Sequence, residues 1–307
     1  MSNKSFEEIV ELWIADKKQY VKRSTYSAYA LLISNHLIPA FAGRNDVTEG
    51  LIQDFVLAKM EQGLSQKSIK DILIVLKMIL RYGVKQGYME HREIDVRIPT
   101  ERERQEVAVL IRSNQKKIME YVQGHFTFMN LGIYICLCTG LRIGEVCALM
   151  WDDIDVESGV INITKIIQRI YVIEGGKKHT EVMIDRPKSK NSIRKIPIAK
   201  DLLKMIRPFK KVVNGSFYVL TNSAQPTEPR TYRNYYNRLM NELNIPKLKF
   251  HGLRHSFATR CIESRCDYKT VSVLLGHSNI STTLNYYVHP NMEQKKKCVE
   301  QMFKTLR

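Results

Sequence analysis

Phe6, Ile9, Val10 and Trp13 recur at three- and four-residue steps, the spacing that stacks side chains on one face of a helix. Ahead of them "SFEE" forms a capping box, in which Ser5 accepts from the first turn and Glu8 answers the Ser5 N–H. Three more helical patterns follow. "RSTYSAYALLISNHLIPAF" opens at Ser24, a residue type that caps helices, and is expected to stop near Pro39. "TEGLIQDFVLAKMEQG" runs from Thr48 to Gly63, and "SQKSIKDILIVLKMILRYGVKQG" carries a dense apolar stripe that ends near Gly87. Residues 1–92 therefore predict a helical bundle.

The pattern then breaks. "HREIDVRIPTERERQEV" is charged, aperiodic and interrupted by Pro99, so residues 93–106 predict a linker. Helical spacing resumes near Val107 and leads into "CTGLRIGEVCALMWDDIDV". After it the period shortens. "GVINITKIIQRIYVIEGG" is rich in β-branched residues, and "VMIDRPKSKNSIRKIPI" alternates again, which predicts a small antiparallel sheet of about three strands. Helices return from Asp201. The expected fold class is mainly α with a small antiparallel sheet (α+β), in two domains, the second spanning 107–307.

Charge changes this picture from scaffold to partner. Lys and Arg total 48 against 31 acids, a net charge of +17. Such self-repulsion in a folded protein points to a polyanionic partner, nucleic acid before membrane. The longest apolar run, around "FMNLGIYICLC", is too short to span a bilayer, and "MSNKSFEEIVELW" lacks a basic-then-apolar signal pattern. The six cysteines include no C-x-x-C pair, so buried free thiols in a reducing, cytoplasmic setting are expected.

Three short segments carry candidate chemistry. "TGLRIGEV" offers Arg142 with Glu145 three residues on. In "HGLRHSFATR", His251 and Arg254 share a face if that stretch is helical. In "LGHSNISTTLNYYVH", His277 precedes a turn and then Tyr286 and Tyr287. Singly, each has a plain reading: a surface ion pair, a satisfied histidine, packed aromatics. His251 and His255 stand four apart, but no acidic or cysteine ligand completes a zinc set. Together, two arginines, two histidines and a tyrosine suit attack on a phosphodiester. Guanidinium forks match the nonbridging oxygens and stabilise the charge that grows as a fifth oxygen approaches. A phenol becomes a nucleophile there once a base or a cationic field helps it ionise.

"TGLRIGEVCALMWDDID", "HGLRHSFAT" and "LLGHSNISTT", in this order and at these separations, resemble the signature segments of the tyrosine recombinase (phage integrase) family. The resemblance covers nearly the whole chain and implies a core-binding bundle followed by a catalytic domain of the DNA breaking-rejoining type. It implies that Arg142 and Arg254 clamp the scissile phosphate and that Glu145 orients the first arginine. His251 would then transfer a proton and His277 would bond the phosphate. The family's leaving-group lysine matches Lys188, with Lys190 the alternative if the loop is one residue longer. Its Y-x-H ending selects Tyr287 as nucleophile, although a shorter family spacing would select Tyr286, and helical geometry does not decide between them. "PRTYRNYYNR" places Arg230, Arg233 and Arg238 on a candidate DNA-facing helix whose tyrosines could equally pack.

The implied reaction is transesterification through a 3′-phosphotyrosyl link and a Holliday junction, with no metal and no energy cofactor. The implied partners are double-stranded DNA recombination sites, a homotetramer on DNA, and accessory DNA-bending or directionality proteins, with no membrane. Two other readings stay open: type IB topoisomerase-like relaxation, and a non-catalytic DNA-binding protein. The tail "EQKKKCVEQMFKTL" is amphipathic and is expected to dock on a neighbouring subunit, or else to close its own domain's core.

Overall fold

The computed structural model of the chain describes residues 4–91, 93–99, 108–174, 177–187, 190–287 and 292–305. It separates into two compact units: Met1–Gln105 with Arg169–Glu181, and Glu106–Gln168 with Val182–Arg307.

The first unit is built on α1 (Phe6–Tyr20), α2 (Arg23–Leu32), α3 (Ile38–Phe41), α4 (Glu49–Glu61) and α5 (Gln66–Lys85). The Ser5–Glu8 capping box is present with both bonds, and Thr48 caps α4 through Leu51 N–H. Phe6, Ile9, Val10 and Trp13 pack with Leu37, Phe41, Ile52, Val56 and the α5 stripe Ile69, Ile72, Leu76 and Ile79 into one apolar core. Two expectations fail here. Ser24 is not the cap of α2, because the helix already begins at Arg23 behind Lys22. Pro39 does not stop the helix either. A π turn at Ile33–Leu37 precedes it, with Ile38 N–H bonded to the Ile33 carbonyl five residues back. That extra residue shifts the hydrogen-bond ladder just before the ring that lacks an N–H, and the chain stays helical to Phe41. Residues 93–99 are not loose: the Gln53 amide both donates to Arg97 O and accepts from Arg97 N–H, and Glu49 accepts from Asp95 N–H.

The second unit begins with α6 (Arg112–Gly124), α7 (Phe128–Thr139) and α8 (Ile143–Cys147). Next along the chain come strands β1 (Ile154–Asp155), β2 (Val160–Ile163), β3 (Ile166–Glu174), β4 (Lys177–Asp185) and β5 (Arg194–Pro197), of which the 169–181 part of β3 and β4 groups with the first unit. Then come α9 (Lys200–Lys210), α10 (Pro229–Glu242), α11 (His251–Glu263), α12 (Tyr268–Leu275), α13 (Ile280–Tyr287) and α14 (Met292–Lys304). The expected single sheet is two: a three-stranded sheet in the order β1-β2-β5 and a separate pair β3-β4. β1 is the strand missed in "WDDIDV". Its two residues are too short for a period, and Ile154 pairs with Ile161 because β2 offers a partner edge. β2 and β5 are antiparallel, with Ile163 opposite Arg194.

Helix α7 runs through the core with apolar residues on every side, the pattern of a helix buried all round. Ile133, Ile135 and Leu137 meet Trp151, Ile161, Ile196, Leu202 and Tyr232 in one cluster. Among the described residues no helix is long and apolar enough to cross a membrane.

Candidate active site

The site grows from the end of one helix. α12 stops at Gly276, whose φ of +67° is left-handed. Gly276 N–H bonds Val273 O and His277 N–H bonds Ser272 O, both at the distances of a Schellman turn. A helix leaves its last four carbonyls without partners of its own. The turn takes two of them; arginines take the other two and the glycine's own. Leu274 O accepts from Arg194 Nε at 2.6 Å, Leu275 O from Arg254 Nη2 at 2.6 Å, and Gly276 O from Arg142 Nη2 at 3.3 Å. Three guanidinium groups from three elements thus gather at the negative end of one helix dipole.

Each arginine is fixed a second time. Arg254, 1% exposed on α11, also donates to Gly140 O at 2.9 Å. Gly140 ends α7 with φ +66°, and a Cβ there would meet Phe257 Cδ1 at 2.6 Å, so only glycine brings this carbonyl so close. Arg142 follows two residues later as the residue before α8. Its Nη1 donates to Glu145 Oε1 at 2.7 Å, and its backbone N–H donates to Glu145 Oε2 at 2.9 Å. Arg194 meets the same buried carboxylate with two parallel bonds of 3.0 Å. Burial alone would raise the pKa of Glu145, but the Arg194 bonds and the Arg194 and Arg142 charges outweigh it and hold the carboxyl below its usual range. Glu145 is therefore a fixed anion between two guanidiniums.

The histidines complete the group. His277 Nδ1 lies 2.8 Å from the hydroxyl of Thr283, a fully buried residue, which fixes the ring and leaves Nε2 as its other polar atom. Desolvation, followed by the Arg254, Arg142 and Arg194 charges, pushes its pKa down to about 4. His251 opens α11 one turn before Arg254, and its ring lies edge-to-face with His255 at 4.5 Å. Desolvation, then the His255, Arg254 and Arg142 charges, push it down to about 4 as well. Both imidazoles are neutral at pH 7 and can accept a proton or donate an N–H.

Arg142, Glu145, Arg254, His251 and His277 are thus brought together. Lys188 lies outside the described residues. Lys190 begins a 3₁₀ turn (Lys190–Ser192) just before β5, and its side chain lies outside them too. Tyr286 and Tyr287 are the last two residues of α13, again without described side chains. On α10, Arg230, Arg233 and Arg238 are exposed while Tyr232 and Tyr236 are buried, so two of the three aromatics pack as core.

Residues 108–294 match the Phage integrase family, and residues 5–60 match its N-terminal SAM-like domain. A "Tyrosine recombinase XerC-like" protein of Caldanaerobacter subterraneus subsp. tengcongensis is 32% identical over 271 residues, 81% of this chain and 69% of that protein. The chain belongs to the phage integrase family of tyrosine recombinases. It is a tyrosine-type site-specific recombinase. The ICEBs1 integrase of Bacillus subtilis is 25% identical to the recombinase over 309 residues, 95% of this chain and 81% of that one. In fold, it is similar to the Tn1549 transposon integrase solved with circular intermediate DNA, with a TM-score of 0.76, 23% identity and coverage of 96% and 99% of the two chains. A lambda integrase tetramer solved on a Holliday junction gives a TM-score of 0.66 at 17% identity, covering 94% and 80%. Nothing in these likenesses favours topoisomerase-like relaxation or a non-catalytic role.

Two residues of the recombinase's site escaped the sequence reading. Arg194 stands among the basic residues of "KSKNSIRKIP" and looks like one more solvated charge; only the alternation "RKIP", which turns Arg194 to the same side as Ile196, signals burial. Thr283 sits six residues after His277 and had no signal beyond its place in "ISTT".

Proposed function

We propose that this recombinase cuts and rejoins DNA with Tyr287 as nucleophile and the α12 turn as its phosphate seat. The phenol oxygen of Tyr287 attacks the phosphorus, the P–O5′ bond breaks, and a 3′-phosphotyrosyl link forms with a free 5′ hydroxyl. The phenol proton passes to neutral His251, and Lys188, or Lys190 in its place, protonates the departing O5′. Arg142, Arg254 and His277 Nε2 bond the nonbridging oxygens and stabilise the charge of the five-coordinate state. Attack by a partner strand's 5′ hydroxyl reverses the step, so the ester's energy is conserved and no nucleotide cofactor enters. The single observation that carries this reading is the convergence of Arg142, Arg254 and His277 on the Gly276 turn.

The partners are double-stranded recombination sites, gripped by a core-binding domain (1–92), a linker (93–106) and a catalytic domain (107–307), with Arg230, Arg233 and Arg238 against the backbone. Phosphate contacts should make binding weaken steeply with salt. The assembly is a homotetramer that passes through a Holliday junction in the cytoplasm, on the nucleoid, with accessory bending or directionality proteins. Helix α14 leaves Val299, Met302 and Phe303 exposed at 53%, 47% and 59%, which supports docking on a neighbouring subunit over closure of its own core. Deleting 291–307 should reduce assembly on DNA without loss of the fold; unchanged assembly contradicts that role.

A nicked suicide substrate, from which the short fragment carrying the freed 5′ hydroxyl diffuses away, tests the chemistry. Wild type should remain covalently bound to DNA after denaturation, Tyr287→Phe should not, and Tyr286→Phe should. Loss with Tyr286→Phe alone transfers the role to Tyr286; no trapping by wild type overturns the reading.

A further inference from the structure

Arg194 is the third guanidinium at the α12 turn, and the phosphate chemistry above gives it no part. Its side chain is 4% exposed and its bonds all run inward. Nη1 and Nη2 grip Glu145, Nε takes Leu274 O, and Nη1 also takes Ser192 O at 3.1 Å. Those partners belong to three different pieces of chain. Glu145 orients Arg142. Leu274 lies in the last turn before His277. Ser192 ends the 3₁₀ turn that follows Lys188 and begins at Lys190. A buried arginine is expensive to desolvate, and a well-packed apolar residue of similar volume would often serve stability as well or better. The fork geometry that arginine supplies, and lysine does not, is what ties a carboxylate and two carbonyls at once.

We propose that Arg194 is a positioning residue for the strand-cleavage reaction, holding Arg142, His277 and the Lys190–Ser192 turn in one register through Glu145, Leu274 and Ser192. Gly276 is fitted to it: a Cβ there would meet Asn191 O at 2.9 Å and Arg194 Nη1 at 3.2 Å, so the turn and the arginine occupy each other's space. Arg194 does not touch substrate. Its loss acts by letting Arg142 drift from the phosphate, because Glu145 then has one guanidinium in place of two and the α12 carbonyl at Leu274 has no donor. This inference rests on Arg142 being a phosphate ligand.

The test is single-turnover cleavage of the suicide substrate by wild type, Arg194→Lys and Arg194→Gln, at saturating DNA and well below each protein's melting temperature. Each is run on the normal phosphate and on a methylphosphonate, where one charged oxygen at the scissile position is a neutral methyl. The variants should cleave the phosphate about 10- to 100-fold more slowly, the loss that a displacement near 1 Å brings. The methylphosphonate, which needs Arg142 less, should slow by a smaller factor, so the phosphate-to-methylphosphonate ratio shrinks. A merely structural residue would lower both rates by one factor and leave the ratio at the wild-type value, which overturns the proposal, as does an undiminished rate. If Arg194→Lys does not fold, Arg194→Gln carries the same comparison. Arg142→Ala is the control for the underlying reading: if its ratio equals that of wild type, Arg142 is not a phosphate ligand, and that reading fails rather than the place of Arg194 alone.

Discussion

Trp13 and Arg254 are each 1% exposed, in cores of opposite character. Around Trp13 the first unit buries aliphatic and aromatic side chains, with Ser27 the one polar residue among its described buried set. Around Arg254 the second unit buries Glu145, Arg194, Thr139, Ser256, Ser272 and Thr283. The first arrangement is what burial of apolar surface favours on its own. The second gives up part of that gain to keep charges out of water, and it is held by pairing them: Glu145 with Arg142 and Arg194, and Arg254 with two carbonyls. The contrast separates packing from placement of charge: apolar side chains could fill the second core, but they could not hold three guanidiniums at the end of α12.

The largest expected effect is on Arg254→Ala. It should slow covalent cleavage by about 10²- to 10³-fold, as loss of a donor aimed at the transition state does. It should also leave Gly140 O and Leu275 O without their donor, at a cost of about 1–3 kcal/mol for each buried group, read by urea denaturation. Trp13→Ala should lower the stability of the first unit by about 3–5 kcal/mol. Cleavage per folded molecule at saturating DNA should stay at the wild-type rate. If that rate falls as far as it does for Arg254→Ala, the two cores are not functionally distinct.

Gly276→Ala lies between these. A left-handed alanine costs about 1–2 kcal/mol, and its Cβ pushes on Asn191 O and Arg194. It should therefore lower both stability and cleavage, whereas Gly63→Ala, also left-handed but with open space around it, should affect stability alone.

The smallest effect is with pH. His251 and His277 have folded pKa values near 4 against an ordinary 6.5. Between pH 6.5 and 4 the unfolded chain binds protons that the folded chain refuses, so these two groups make stability fall as the solution is acidified through that window, and add nothing above it. Glu145, with a depressed pKa, stabilises above 4.5 and loses its contribution only on further acidification. A DNA phosphate in the site should reverse the pressure on the histidines. Calorimetric titrations in buffers of different ionisation enthalpy near pH 6 should show proton uptake on binding; its absence in His277→Gln would assign it.

Much of the first unit was legible because period and caps act locally: Phe6 to Trp13, Ser5 with Glu8, and Thr48 all do what their spacing implies. The continuation through Pro39 was not, since a π turn is a response of the ladder to the ring and leaves no compositional trace. In the second unit, Arg142, Glu145, His251, Arg254 and His277 were legible as motifs. Arg194 and Thr283 were not, because their roles depend on which distant carbonyl or imidazole the fold brings to them. β1 was hidden for the same reason: two residues form a strand only where a partner edge exists.

The most direct test of the central claim is the structure of the recombinase trapped on its suicide DNA. One backbone phosphorus should be esterified to Tyr287, with its nonbridging oxygens within hydrogen-bond distance of Arg142, Arg254 and His277 Nε2, and Arg194 still on Glu145. A phosphate held elsewhere on the protein, with those three side chains keeping the bonds to Gly140 O, Leu275 O, Gly276 O, Glu145 and Thr283 that they make now, would contradict it.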